Sequence, residues 1–387
     1  MIDMSMQIGS LYLKNPVFLA AGPLTTKLEN LIQAEELGLG AVDTKVTVSR
    51  KYPKIKCYER TFWDPGARIM NWSLGLWDGE FICIDDAVAF IKMAKQELSI
   101  PVFGNFKEDS DQVEQWIMLA KRLEDAGADA LVTFFTFIRE FVGKEIEMLE
   151  KIIAPVCSAV SIPVIFKLQP IAGLFADIPQ MATVMEEVGL SAIQISDGVG
   201  GYPSLAIDAP PYHPFSCLDF QARDGFISGP YLKPLVYKTV YEYANQTDFP
   251  IICSGGIWDS PSAIEAILYG SSVIASASGP CIKGWEMFTD IIQGIENYMQ
   301  ENNYSRIGDF KGLAGQYIKE NDQIDYPDCY AAVDASKCNG CEQCLPPAHC
   351  NAIFMDQSLA KINKESCVGC CICKYLCPQN AIEMKMG

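Results

Sequence analysis

Eight short apolar runs punctuate the first 280 residues, at 17–21, 41–46, 100–106, 130–135, 162–168, 192–196, 249–254 and 272–276. Each is a few residues long and several are rich in Val and Ile, the pattern of strands buried on both faces in a parallel sheet. Their entries alternate. Asn15-Pro16, Ile100-Pro101, Ile162-Pro163 and Phe249-Pro250 lead into the odd runs, and Gly40, Gly127, Gly189 and Gly270 precede the even ones. Proline suits a strand's first residue, where no ladder donor is needed. Glycine ends a helix in the left-handed conformation and lets the chain turn straight into a strand. Amphipathic stretches such as 112–125 and 262–269 lie between the runs. The pattern is strand then helix, eight times over, which predicts an α/β (β/α)8 TIM barrel; a doubly wound open sheet is the alternative.

Two connections are much longer than the rest, 47–99 and 197–248. Both follow strands, so both are expected over the C-terminal face of the barrel, where barrel active sites are built. The pattern divides the chain into a barrel at 1–301, a polar connector at 302–330 and a small α+β ferredoxin-like domain at 331–387.

That last domain is set apart by cysteine. The chain has 16 cysteines in 387 residues, and nine of them lie between Cys338 and Cys377. The segment reads Cys338-x2-Cys341-x2-Cys344-x5-Cys350, then Cys367-x2-Cys370-x2-Cys373-x3-Cys377-Pro378. Three thiolates at this spacing wrap three corners of a cubane, and the fourth corner is filled from elsewhere. In two-cluster ferredoxins each run lends its fourth cysteine to the other cluster. The expected ligand sets for two [4Fe–4S] clusters are therefore Cys338, Cys341, Cys344 and Cys377, and Cys367, Cys370, Cys373 and Cys350. Asn351-Ala352-Ile353-Phe354 and Asn380-Ala381-Ile382-Glu383 follow the two runs and suggest a duplicated unit. A zinc ribbon also uses Cys-x2-Cys pairs, but has no use for three cysteines at this spacing followed by Cys-Pro. Cys371 is extra, and reads as a thiol near the cluster.

Composition narrows the partners. The formal charge of −18 argues against nucleic acid or an anionic membrane surface and favours a basic redox partner. No run of 18 apolar residues is present, so no membrane-spanning helix is expected. The N-terminal residues lack a basic and then apolar leader, and the expected location is cytoplasmic. With two histidines, His213 and His349, a His-rich metal site is excluded.

Taken together, barrel and cluster domain resemble the pyrimidine-reducing part of dihydropyrimidine dehydrogenase, and the barrel alone resembles class 1 dihydroorotate dehydrogenases. The resemblance implies an FMN site. Leu19-Ala20-Ala21-Gly22 stands where the family's first strand passes the flavin on small residues. Thr44-Lys45 matches its Thr-Lys, Asn71 an asparagine that contacts the flavin ring, and Phe166-Lys167-Leu168 its Lys-Leu-Thr-Pro strand. Ser228-Gly229 matches a phosphate-side loop, continued by Lys233-Pro234. Ser254-Gly255-Gly256-Ile257 after the seventh run, with Asp259-Ser260-Pro261 marking the next helix, forms a phosphate cradle that Ser276 and Ser278 would close. Ser196 stands where the family has Asn in Asn-Thr, followed by Asp197.

The resemblance fails at the family's Asn-Leu-Ser-Cys-Pro. Phe134 replaces the asparagine, and Phe137 replaces the cysteine that exchanges a proton with the pyrimidine. Glu140, Tyr202, His213 and Cys217, in the long loops, are the candidates for a substitute acid; each also reads as an ordinary loop residue. The expected activity is reduction or oxidation at a C=C or CH–CH bond of a small unsaturated substrate. The two clusters would connect FMN to a separate FAD/NAD(P) flavoprotein subunit or a ferredoxin, within a homo- or hetero-oligomer. The alternative is an electron-transfer subunit whose barrel has lost turnover.

Overall fold

The structure, a computed structural model, describes residues 2–51, 59–64, 69–74, 81–135, 143–172, 177–196, 198–200, 224–319, 323–324, 328–346 and 349–387, with backbone alone at 59–64, 69–74 and 224–226. Eight strands form at the eight apolar runs: β1 Val17–Leu19, β2 Ala41–Asp43, β3 Val102–Phe106, β4 Ala130–Phe134, β5 Val164–Leu168, β6 Ala192–Ile195, β7 Ile251–Cys253 and β8 Val273–Ser276. Each pairs in parallel with the next, and β8 pairs with β1. The ring is closed, so the fold is the TIM barrel.

The odd–even entry pattern has a hydrogen-bonding basis. The carbonyls of Pro101, Pro163, Pro250 and Pro16 accept from Val42, Leu131, Ile193 and Ile274 on the neighbouring even strands, at 3.0, 2.9, 3.2 and 2.7 Å. Proline costs no donor there and still supplies an acceptor. Gly127, Gly189 and Gly270 are left-handed, as the helix-ending role requires, with φ of 102°, 86° and 117°. At the second strand that role falls to Gly38 (φ 88°). Gly40 is glycine for another reason: a Cβ there would sit 2.3 Å from the Asn15 carbonyl oxygen.

The helices between strands are α1 Leu28–Glu36, α2 Ile84–Glu97, α3 Val113–Asp125, the continuous stretches Glu145–Met148, Leu149–Ile153 and Ala154–Ala159 (α4), α5 Ile178–Glu187, α6 Lys233–Ala244, α7 Ser260–Leu268 and α8 Glu286–Glu301. α3 shows why they form. Trp116, Leu119, Ala120 and Leu123 are buried at helical spacing, and Trp116 packs edge-on to Phe106 and Phe135. Inside the barrel, Phe18, Ala41, Phe103, Ala130, Val132, Ile165, Ala192, Ile252 and Val273 form one core. Ile8 and Leu13 join it from a hairpin of Met6–Ile8 and Leu11–Leu13 that the apolar pattern does not announce.

The two long connections share a four-stranded antiparallel sheet. Its order is Val199–Gly200, Asp224–Ser228, Ile69–Leu74, Glu59–Asp64, so segments that leave the barrel after β2 and β6 are tied together. Asn71 lies on an inner strand, opposite Ile227 and Phe62.

Two compact units divide between Tyr317 and Ile318. Residues 302–317, read from sequence as connector, therefore belong with the barrel. The physical reason is an aromatic cluster: Tyr304 stacks on Phe310 at 5.4 Å, and Phe310 and Ile307 are buried. Gly312 N–H donates to Ile267 at the end of α7. The second unit pairs Cys329–Val333 with Ile382–Met386 and Ile353–Asp356 with Leu359–Ile362, with one short helix, Ile372–Leu376. Among the described residues, no helix is long and apolar enough to cross a membrane.

α7 and α8 meet where a Cβ on Gly294 would fall 2.2 Å from Ser260 Cβ. Helix propensity favours alanine over glycine by about 1 kcal/mol. Gly294→Ala should nevertheless destabilise the barrel, by about 1–3 kcal/mol in chemical denaturation, and Ser260→Gly in the same chain should recover most of that loss. A stabilised Gly294→Ala would show that the two helices do not cross this closely.

Candidate functional site

The upper interior of the barrel is polar. Side chains two apart on a strand share a face, so each of six inward apolar positions is followed, two residues on, by another inward side chain. The steps are Ala41 to Asp43, Phe103 to Asn105, Val132 to Phe134, Ile165 to Lys167, Ala192 to Gln194 and Ile252 to Ser254. Five of the six are polar. Asp43, Asn105 and Gln194 are fully buried, and Lys167 and Lys45 are 5% and 3% exposed.

These groups are only partly satisfied by one another. Asp43 Oδ2 accepts from Ala21 N–H at 2.9 Å and from Asn105 Nδ2 at 3.4 Å. Lys167 Nζ lies 4.8 Å from the centre of the Phe134 ring, a cation–π contact. Among the described residues, Asp43 Oδ1, Asn105 Oδ1, both amide atoms of Gln194 and Ser254 Oγ have no partner. Each unmet group costs roughly 1–3 kcal/mol, so a layer of five is the mark of a site whose ligand brings donors and acceptors. The pyrimidine edge of a flavin is such a ligand, and the residues present fit it.

The Asp43 carboxyl is pushed up to about 7, chiefly by burial, against the opposing pull of the Lys167 charge and the Ala21 and Asn105 hydrogen bonds. Sequence reading passed over Asp43. Its signal was a lone carboxylate inside the run 41–46, where a parallel strand should be uniformly apolar.

Around this layer stand the positions expected to hold FMN. Ala20 N–H donates to Ser276 O at 3.1 Å, and a Cβ on Gly22 would meet Ala277 at 3.1 Å, so the small residues of β1 lie against the β8 loop. Gly255 and Gly256 are required by close packing: a Cβ would reach Val236 at 2.6 Å or Lys233 at 2.8 Å, and Gly256 has φ 75°. Their loop thereby abuts the start of α6, whose dipole places a partial positive charge at that end. Gly229 has φ 94° and directly precedes the single turn Pro230–Leu232 that leads into α6. Ser276 Oγ donates to Ile257 O at 3.0 Å and so braces the same loop. Ser196 is buried, with its N–H on Leu168 O, and Ser278 precedes the turn Gly279–Lys283. Glu140, Tyr202, His213 and Cys217 lie outside the described residues, as do Phe137 and the Asn71 side chain.

In the second unit, the thiols gather in two places. Cys338, Cys341, Cys344 and Cys377 line one cavity; Cys350, Cys367, Cys370 and Cys373 line another, together with Cys371. No three His, Cys, Asp or Glu among the described residues converge on a single point as a mononuclear ion requires. A cubane asks for something else, four thiolates spread around a cavity, one for each iron. Backbone N–H groups of Ala360, Ala331 and Ala381 point at the sulfurs of Cys338, Cys367 and Cys377 at 3.5, 3.4 and 3.3 Å.

The duplication is visible residue by residue. Gly340 and Gly369 have φ 72° and 69°, and Glu342 and Cys371 have φ 61° and 64°. Cys371 thus occupies the loop position that Glu342 holds in the other half, which is not a ligand position. Counting from Cys344 and from Cys373, the next Asn-Ala-Ile begins after the same interval, so Ala348 stands in the place of Cys377. The wider first gap is a cysteine moved two residues along a segment of unchanged length.

The raised Asp43 carboxyl bears on stability. Native Asp43 holds its proton up to about pH 7, whereas an unfolded aspartate loses it near 3.8. The native state binds more protons between these limits, so this contribution to stability falls as pH rises from about 4 to 7. At full ionisation the loss is on the order of 4 kcal/mol. Flavin-free Asp43→Asn should escape it: its stability relative to the native sequence should climb across that window in denaturant titrations and level off above. A difference independent of pH would mean the carboxylate is solvated.

Residues 4–299 match the family of dihydroorotate dehydrogenase, and residues 360–383 match a 4Fe-4S binding domain. The dihydroorotate dehydrogenase B (NAD(+)) catalytic subunit of Thermococcus kodakarensis is 27% identical over 320 residues, covering 80% of this chain and 98% of its own length. That of Methanothermobacter thermautotrophicus is 26% identical over 318 residues, covering 79% and 97%, and that of Pyrococcus abyssi 28% over 306 residues, covering 78% and 95%. These relatives are nearly spanned by four fifths of this chain, so about a fifth of it has no counterpart in them. With closed barrel, polar mouth and a family match over 4–299, the chain belongs to the dihydroorotate dehydrogenase family.

Proposed function

We propose that this chain is an FMN- and iron–sulfur-dependent oxidoreductase acting at a C=C or CH–CH bond of a small unsaturated substrate, with electrons passing between the barrel and an external partner through two [4Fe–4S] clusters. The observation that carries the reading is the layer of unpartnered buried polar atoms at the barrel mouth, set beside two buried lysines. Asn105 and Gln194 would meet the flavin's donor–acceptor edge. Lys45 and Lys167 would hold positive charge where reduction deposits negative charge. Ala20 and Ala21 would leave room for the ring, with Asn71 and Ser196 at its side. Ser228–Gly229, Gly255–Gly256, Ser276 and Ser278 would surround the phosphate, at the turn where α6 begins. Bound FMN supplies the ability to exchange electrons singly or in pairs.

Cys338, Cys341, Cys344 and Cys377 would hold one cluster, and Cys350, Cys367, Cys370 and Cys373 the other. The N–H donors aimed at these sulfurs raise the potential of a cluster by offsetting its negative charge. The partner is a separate FAD/NAD(P) flavoprotein subunit or a ferredoxin.

Phe134 favours a second reading. It fills with an apolar ring the place of a family asparagine, and that ring is already engaged by Lys167. A barrel closed in this way would relay electrons without turning over a substrate.

Two measurements test the proposal. In anaerobically purified protein, Cys377→Ala should lose about half of the iron and acid-labile sulfide, and Cys350→Ala the other half by its electron paramagnetic resonance signature, while Cys371→Ala keeps both clusters. Loss of both clusters together in either variant would refute separate sites. Flavin reduced with dithionite should be reoxidised by one of uracil, thymine, orotate, an apolar enone or an enoyl thioester. Reoxidation by ferredoxin alone would favour the relay, and protein purified without flavin would refute both readings.

A further inference from the structure

Lys167 is enclosed in the barrel, and a buried ammonium is stable only beside a counter-charge or a strong polar environment. Asp43 supplies one: its carboxylate feels the Lys167 charge directly. The two side chains project from β2 and β5 into the same polar layer. Asp43 is wholly buried; among the described residues its Oδ2 takes two hydrogen bonds and its Oδ1 takes none. A carboxyl oxygen with no donor upon it is the place where a proton can sit.

Among the described residues, the elements around Asp43 contribute the following groups. β1 presents the Ala21 N–H, β3 the neutral Asn105 and β6 the neutral Gln194. Lys45 follows two residues on from Asp43. Past the end of β3 stand Lys107, tied to Asp109 at 2.6 Å, and Glu108, a second buried carboxylate whose Oε2 has no partner among the described residues.

We propose that Asp43 is a proton-binding group of the flavin site, taking up a proton as negative charge arrives at the barrel mouth and giving it up as that charge leaves. The inference rests on the FMN reading above. Two electrons, drawn from the clusters or from dithionite, and one proton delivered to the flavin leave one net negative charge there. Negative charge gained beside a buried carboxylate raises its affinity for a proton, and Lys167 and Lys45 offset that charge without removing the repulsion between the two anions. In the reduced site Asp43 therefore binds a second proton at Oδ1 from solvent. No bond to carbon forms or breaks at Asp43, and the charge of the site is the same before and after.

The proposal fixes a pH dependence. Isolated Asp43 changes protonation near pH 7, so coupled uptake is confined to the range above that value. Each proton taken up per electron pair changes the reduction equilibrium tenfold per pH unit, about 30 mV for a two-electron couple. The flavin potential of the whole native protein should therefore fall by about 30 mV per pH unit below pH 7 and about 60 mV per unit above it. Asp43→Asn should keep the shallower slope throughout. Equal slopes in the two proteins, with flavin bound in both, overturn the inference alone; absence of flavin from the native protein overturns it together with the reading beneath it. Should Asp43→Asn fail to retain flavin, the infrared difference spectrum of the native protein on reduction decides. A protonated-carboxyl band that appears above pH 7 and shifts on labelling with 13C-aspartate supports Asp43, and the lack of such a band refutes it.

Discussion

The barrel closes because β8 pairs with β1, and the rest of the molecule's chemistry depends on that closure. An open sheet would leave each inward position within reach of water from its edges. A ring removes those edges, so a side chain two residues above the apolar core becomes buried whatever its polarity. Asp43, Asn105, Lys167 and Gln194 are each buried for this reason. Closure converts ordinary strand alternation into an enclosed layer of charges and amides with unmet hydrogen-bonding capacity.

Much of this was legible beforehand, for identifiable reasons. The eight strands could be read because their buried faces demand short apolar runs, and because proline and glycine mark opposite ends of the βα unit. The grouping of the cysteines could be read because their Cys-x2-Cys-x2-Cys spacing is tighter than packing requires, and the structure gathers the same eight thiols around two cavities. What escaped was determined by tertiary contact. Gly40 looks like the other helix-ending glycines and is instead held by the Asn15 carbonyl. Residues 302–317 look polar enough for a linker, yet Ile307 and Phe310 supply two anchors that tie them to α8 and α7. Asp43 sits in an apolar run, and only the arrangement of Lys167 opposite it gives the carboxylate meaning. The glycines after β7 were read as a phosphate cradle; the structure adds a packing demand from Val236 and Lys233, and that packing brings the α6 terminus to the loop.

The small second unit makes a complementary point about repeats. Its halves conserve backbone more strictly than side chains. Two left-handed residues recur at matching places, Gly340 with Glu342 and Gly369 with Cys371. The glycines are not optional: a Cβ would fall 2.3 Å from Ser358 O in one half and 2.5 Å from Cys329 Sγ in the other. The fourth cysteine, by contrast, moves by two residues between halves while the loop length stays fixed. A thiolate needs only to reach its corner, and a flexible Cβ–Sγ arm tolerates a shift that a crowded backbone does not.

On the proposed reading, Phe134 and Asp43 have a common electrostatic sense. Phe134 replaces an amide with an aromatic face, and that face takes the Lys167 ammonium. In the resemblance, Phe137 stands where the family has a thiol that carries a proton. Asp43 is a buried carboxyl that could carry one here. Replacing a neutral donor by a ring lowers local polarity, which raises the cost of leaving Lys167 without an anion; a carboxylate facing it meets that cost and, being buried, stays close to its protonation threshold. On the proposed reading, the aromatic ring of Phe134 and the acid of Asp43 are thus two sides of one adjustment, in which β2 carries the proton-handling capacity of the site.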